Sequence, residues 1–189
     1  SAASDVYKRQ PHSPYSCDRD LLEESLDMAK ELNIPIHIHV AETKEESGII
    51  LKRYGKRPLV FLEELGYLDH PSVFAHGVEL NDREIERLAT SQVAIAHNPI
   101  SNLKLASGIA PIIQLQKAGI AVGIATDSVA SNNNLDMFEE GRTAALLQKM
   151  KSGDASQFPI ETALKALTIE GAKVLGCLLY TSDAADERS

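Results

Sequence analysis

The chain has 189 residues, a formal net charge of −8, 43% hydrophobic residues and 24% charged residues. That balance suits one globular domain with a sizeable core, and the acidity disfavours non-specific contact with nucleic acid or anionic membrane. No apolar run reaches the roughly 18 residues of a membrane span, and the first residues carry no signal-peptide pattern. Cys17 and Cys177 lie too far apart for a disulfide framework or a zinc-ribbon spacing, so a reducing cytoplasm is the expected setting.

The two ends stand apart from the rest. Ser1 to Gln10 back-translates into a string whose reverse complement, read in a shifted frame, encodes Cys177 to Asp186. Two unrelated termini do not encode each other's opposite strand, and the string resembles a transposon adapter. Residues 1–10 and 177–189 are therefore expected to be adapter-derived and not native, with 11–176 as the native body. Cys17 is then the native cysteine, and the acidic balance survives.

Within 11–176, short β-rich runs alternate with longer amphipathic stretches. Asp18 to Asn33 reads as a helix, with Leu22, Leu26 and Ala29 at helical spacing. Ile36 to Val40 is a strand. Thr43 to Tyr54 is a helix closed by Gly55, and Leu59 to Leu65 a shorter one closed by Gly66. Ser72 to Ala75 is the second strand, and Asp82 to Thr90 a helix capped by Asn81. Val93 to Ala96, a helix over Pro111 to Ala118 ended by Gly119, and strand Ala121 to Ala125 come next. Leu135 to Lys151, with Asn134 as its cap, is the longest helix, and a last one runs from about Ile160 to Leu175. Four strands separated by helices predict a parallel α/β sheet, part of a (β/α)8 TIM barrel with about four C-terminal βα units.

The chemistry sits at the C-terminal end of each strand. The strands end in or run into His39, His76, His97 and Asp127. In a barrel of this kind the C-terminal strand ends form the active-site face, and imidazoles and a carboxylate converging there can hold a borderline cation such as zinc. One histidine at a strand end is more often a structural group. Four successive ends with such residues are not, because turns favour Gly, Asn, Asp and Ser.

His37 shares a strand face with His39. A joint metal clamp competes with a place one layer lower, and the lower layer is favoured because adjacent layers differ by about 6–7 Å. His70, between Asp69 and Pro71, reads as a solvated turn residue. Spacing alone leaves His12 unplaced. Glu42 reads equally well as a proton shuttle beside a metal-bound water or as the start of a solvated helical turn with Glu45 and Glu46.

The runs Pro11-His-Ser-Pro-Tyr-Ser16, His37-Ile-His39-Val-Ala-Glu42-Thr43, Ala75-His76-Gly77, His97-Asn-Pro-Ile-Ser-Asn-Leu-Lys-Leu105 and Thr126-Asp127-Ser128 resemble the amidohydrolase superfamily. Ser131-Asn-Asn-Asn-Leu-Asp-Met-Phe-Glu-Glu140 is similar to its 5-methylthioadenosine/S-adenosylhomocysteine deaminase subgroup. The resemblance implies His39 and Asp127 as metal ligands, and Asp127 also as proton acceptor from the attacking water. It implies Glu42 as proton donor to the purine ring, His76 as the group orienting the hydroxide, and His12 at the ribose or its 5′ substituent. It assigns no role to His97. Implied with it are one Zn2+ per subunit (Fe2+ or another divalent ion being the variant), a small-molecule nucleoside as partner and homo-oligomers of the full-length protein, without nucleic acid or membrane.

Two features depart from the family pattern. No strand with a further His-x-His pair precedes Pro11, and Ser128 stands where the subgroup favours glycine. Guanine or cytosine deamination, triazine hydrolysis and a non-catalytic nucleoside-binding relative remain open alternatives. With only His39 and Asp127 as ligands and two raw sheet edges, the chain by itself is expected to be inactive and prone to aggregate. A soluble, zinc-loaded monomer that deaminates adenosine would contradict that expectation.

Overall fold

The computed structural model describes residues 10–177, so the expectation about the two tails lies, but for Gln10 and Cys177, outside the described residues. Four strands form one sheet in the order β1 (Ile36–Val40), β2 (Ser72–His76), β3 (Val93–His97), β4 (Val122–Ile124), and every pairing is parallel. The register places Ile36 beside Ser72 and Ser72 beside Val93, while β4 enters two residues later, with Val122 beside Ile95.

Strand alternation separates two faces. Ile36, Ile38, Val40, Phe74, Val93, Ile95, Val122 and Ile124 join the main core beneath the helices. Val73, Ala75 and Ala96 face the other way, packed by Ala94, Ala121 and Ala125. His37 and His39 share that second face, which is the lumen side of a barrel wall.

The helices start where local chemistry allows. Asp18 caps α1 (Arg19–Leu32) by accepting from the Leu21 N–H at 2.9 Å, and Asn33 closes it at φ 51°. Thr43 caps α2 (Lys44–Tyr54) through the Glu46 N–H, and Pro58 opens α3 (Pro58–Leu65). A 3-10 turn over Tyr67–Asp69 buries Tyr67, whose hydroxyl donates to the Leu22 carbonyl at 2.9 Å. Asn81 and Glu84 form a reciprocal capping box on α4 (Asp82–Leu88).

Five expectations are corrected. His70 is not solvated: it is 9% exposed, and its Nε2–H donates to the Ile34 carbonyl at 2.9 Å, tying the α1–β1 turn to β2. Two helices carry no signal in the sequence, α5 (Pro99–Lys104) and α7 (Val129–Asn132), because six and four residues are too few to show a period. Between them lies α6 (Ile112–Lys117), and after α7 comes α8 (Met137–Ser152). Asp136, not Asn134, caps α8, since its carboxylate accepts from both the Phe138 and Glu139 N–H groups. β4 is three residues long instead of five. The final helix is two, α9 (Ile160–Leu167) and α10 (Ile169–Val174), broken at Thr168, whose hydroxyl donates to the Leu164 carbonyl.

That break has a purpose in packing. It turns α10 onto the lumen face, where Val174 joins Val73, Ala75 and Ala96. Gly123 of β4 and Gly171 of α10 make the approach, and a Cβ on Gly123 would lie 2.9 Å from the Gly171 Cα. Among the described residues, no helix is long and apolar enough to cross a membrane.

Gly123→Ala is expected to destabilise the full-length protein by about 1–3 kcal/mol, because backbone rather than a movable side chain blocks the new methyl. Gly48→Ala, in an exposed stretch of α2 with nothing within 4 Å of the new Cβ, is expected to stabilise by about 0.5–1 kcal/mol. Denaturant unfolding of the two variants checks the pair.

Candidate metal centre

The chain leaves three of the strands through left-handed residues that are not glycine. Ala41 has φ 53°, His76 φ 74° and Asp127 φ 62°. Such conformations cost about 1–3 kcal/mol each and persist where surrounding bonds over-determine them. Two of them, His76 at the end of β2 and Asp127 beyond β4, are themselves residues of the site, and Ala41 turns the chain after His39 towards Glu42.

His39 comes first. The His12 carbonyl accepts both the His39 backbone N–H at 3.0 Å and the His39 Nδ1–H at 2.7 Å. A carbonyl cannot donate, so the proton sits on Nδ1 and the Nε2 lone pair is left for the site. The same logic applies to His76, whose Nδ1 lies 2.8 Å from the Asn102 Oδ1. Its Nε2 is buried without a hydrogen-bond partner among the described residues, 3.8 Å from the Glu42 Oε2 and 4.0 Å from the Asp127 Oδ2. The two imidazoles stack with ring centres 5.3 Å apart.

Asp127 is gripped by two hydroxyls, Ser101 Oγ at 2.6 Å and Ser131 Oγ at 2.8 Å, both donating to Oδ2. Burial pushes its carboxyl up, but these bonds, the Ser128 N–H and the neighbouring His76 outweigh burial and hold it below the ordinary value. The Asp127 carboxylate is therefore the charged partner of the cluster. Ser128 itself has φ −80°, so the backbone after Asp127 does not require a glycine, and a serine there is sterically free.

One ligand atom from each of His39, His76 and Asp127 lies within 4.8 Å of the others. An imidazole and a carboxylate are donors suited to zinc, and the orphaned His76 Nε2 beside them is the kind of buried atom that a cation, or a water next to it, would satisfy. The residues fit the metal. His76, expected to orient a hydroxide, thus reaches the same point as the two expected ligands.

Glu42 sits on the rim of this cluster, its side chain 16% exposed. Its backbone N–H and that of Ala41 both donate to the Glu46 carboxylate, at 2.7 and 3.0 Å. Glu46 is 2% exposed, so a solvated charged turn is not what forms here. Burial pushes the Glu46 carboxyl up to about 7 against the pull of those N–H groups. His12 lines the same cavity, of about 580 Å³, with its Nδ1 2.7 Å from the Ser16 Oγ. His37 also lines it, its ring 6.5 Å from that of His39, and it does not join the three-residue cluster.

His97 departs from the strand-end pattern. It shares strand parity with Val93 and Ile95, is fully buried, and is not part of the cluster. Burial first, and His76 second, push its imidazole down to about 3. Sequence reasoning missed Ser101, Asn102, Ser131 and Glu46, since Ser and Asn near a helix start read as ordinary turn residues.

The chain matches the model of the amidohydrolase family over residues 3–178. It belongs to that family. It is 55% identical over 166 residues to a 5-methylthioadenosine/S-adenosylhomocysteine deaminase of Bacillus cytotoxicus and 54% identical to one of Bacillus cereus. Each match covers 88% of this chain and 38% of the relative, so the chain spans well under half the length of these curated relatives. Among solved structures, an adenosine deaminase from Xanthomonas campestris with bound zinc superposes with a TM-score of 0.86 at 41% identity, over 88% of this chain and 38% of that one. An atrazine chlorohydrolase of Arthrobacter aurescens complexed with zinc and atraton gives 0.83 at 29% identity, over 89% and 38%. The four-stranded parallel sheet with its helices is the amidohydrolase barrel architecture in part.

The buried groups make opposite demands on pH. An unfolded imidazole takes its proton near 6.5 whereas His97 resists down to about 3, so stability is lost as pH falls through that window. Glu46 keeps its proton up to about 7 whereas an unfolded glutamate releases it near 4.5, so its contribution is present at low pH and lost as pH rises through about 7. In thermal unfolding of the metal-free full-length protein, His97→Leu should flatten the acid limb and Glu46→Gln the limb around neutrality. Unchanged slopes in both variants would contradict these assignments.

Proposed function

We propose that the full-length protein containing this chain hydrolytically deaminates an adenosine-type nucleoside, S-adenosylhomocysteine, 5-methylthioadenosine or adenosine, to the inosine-type product and ammonia. The observation that carries the reading is the convergence of His39, His76 and Asp127 within 4.8 Å, with Glu42 at its rim. The deaminase relatives at 54–55% identity support the substrate class. Residues 11–176 are a fragment of the catalytic barrel of that protein, with 1–10 and 177–189 as adapter-derived flanks.

His39 and Asp127 would hold the metal, which would supply Lewis acidity and lower the pKa of a water beside it. Zinc is the proposed ion, in keeping with the zinc-containing structural neighbours. Asp127, kept ionised by the Ser101 and Ser131 hydroxyls, accepts the proton of the attacking water. His76 directs its Nε2 at that water and holds it on line. Glu42 gives a proton to the purine ring nitrogen beside C6 as oxygen adds to that carbon, so the ring gains no net negative charge. The C6–N bond then breaks with a proton returned to the departing amine, and ammonia leaves. His12, bonded to Ser16 at the cavity wall, meets the ribose or its 5′ substituent.

Ammonia release by the full-length protein from the three nucleosides, against guanine, cytosine and a chlorinated triazine, tests the assignment. The nucleosides are expected to dominate, and preference for a triazine would transfer the site to the hydrolase reading. Glu42→Gln is expected to lower kcat by about 10²–10⁴-fold while leaving bound zinc unchanged. A chelator should abolish activity, and added zinc should restore it.

A further inference from the structure

The run Ser131 to Glu140, which carries the subgroup resemblance, contributes two residues that neither the cavity nor the proposed chemistry explains. Asn132 is 4% exposed and Glu140 is fully buried. A carboxylate without exposure, on the helix beyond the site, needs a reason.

Its bonds supply one. Beyond β4 the last ladder bond is from the Ala125 N–H to the His97 carbonyl, and the chain then passes through Thr126 to the left-handed Asp127. The Asn132 side-chain amide takes over from the sheet: it donates to the Thr126 carbonyl at 2.7 Å and also to the Glu140 Oε1. The other Glu140 oxygen accepts the Ile100 N–H at 3.1 Å. Ile100 is the second residue of α5, a position whose N–H has no partner inside its own helix. Glu140 therefore ties the start of α5, beyond β3, to the turn beyond β4.

The residues tied are the neighbours of the two that grip Asp127. Ser101 follows Ile100, and Ser131 precedes Asn132. Both serine hydroxyls end on the same oxygen, Asp127 Oδ2. Two hydroxyls from separate short helices can meet on one atom only while α5 and α7 keep a fixed separation.

We propose that Asn132 and Glu140 are positioning residues, a buried amide–carboxylate clamp that fixes the orientation of the Asp127 carboxylate towards the metal point. This rests on Asp127 acting as metal-holding carboxylate and proton acceptor. The clamp needs two acceptors on residue 140 and a donor on residue 132. Glu140→Gln keeps the volume but sets a second donor against either the Ile100 N–H or the Asn132 amide. Asn132→Asp sets an acceptor against the Thr126 carbonyl and the Glu140 carboxylate.

The test measures zinc affinity, by competition with a chromophoric chelator, and steady-state deamination, both with the full-length protein. Each single variant should weaken zinc binding by about 10–100-fold, in the range of other supports behind metal ligands. It should lower kcat by a similar factor with little change in KM. The double variant Asn132→Asp/Glu140→Gln restores a donor–acceptor pair between the two residues and should recover part of the loss. Glu139→Gln, on the exposed neighbour of Glu140, should change neither quantity. Wild-type zinc affinity and kcat in both single variants, with only a lowered Tm, would overturn the clamp. If one single variant does not fold, the other and the double variant still decide. A full-length protein that binds zinc but deaminates nothing would sink the proposed activity while leaving the zinc measurement to judge the clamp.

Discussion

Side chains from separate strands meet at one point because His39 faces the lumen by strand alternation while His76 and Asp127 are themselves left-handed, and the chain leaves β1 through a third such residue. Ala41, His76 and Asp127 all have positive φ without being glycine. Each conformation is unfavourable alone, so something must hold it. At β1 it is Glu46, which collects the N–H groups of Ala41 and Glu42. At β2 the Gly77 N–H reaches back to the Val40 carbonyl, and the Glu79 N–H reaches the Ala41 carbonyl, so one turn braces the next. At β4 it is Asn132 on the Thr126 carbonyl.

Buried carboxylates thus work as scaffolding here. Burial pushes the carboxyls of Glu46 and Glu140 up to about 7, against the donors that bond their ionised form. Asp127, in contrast, is held below its ordinary value by hydroxyl donors. The difference lies in what each faces: Glu46 and Glu140 organise backbone, whereas Asp127 is prepared to carry charge at the open side of the cavity. Neighbouring acids are thereby driven to separate roles by environment alone.

Depth is set on the lumen face itself, below the site. Small residues on the lumen face, Ala75, Ala94, Ala96, Ala121 and Gly123, admit α10, and Val174 packs among them. His37 and His39 line the cavity above this layer, on the wall that β1 contributes. The same sheet that directs imidazoles upward is closed by a helix on the face they share.

Much of this is legible in the residues. Four strands, their parallel order and the convergence of His39, His76 and Asp127 come from alternation and from chemistry placed just after apolar runs, both local patterns. His97 has the parity of the core residues Val93 and Ile95, yet its place at a strand end groups it with the site, because that place does not say which face a side chain takes. Glu42 stands evenly between catalysis and solvent until the resemblance weights it, and Glu46 reads as solvated because a charged first turn normally is. Those outcomes depend on what packs against the turn from elsewhere. The sequence by itself determined the four strands, the longer helices between them, their order and the donor types, because these rest on contacts a few residues long. Only the tertiary structure decided that His97 and His70 are buried, that α10 folds onto the lumen face, and that Glu140 reaches Ile100 forty residues away. Burial and long-range hydrogen bonds are properties of the packed chain, and no local spacing encodes them.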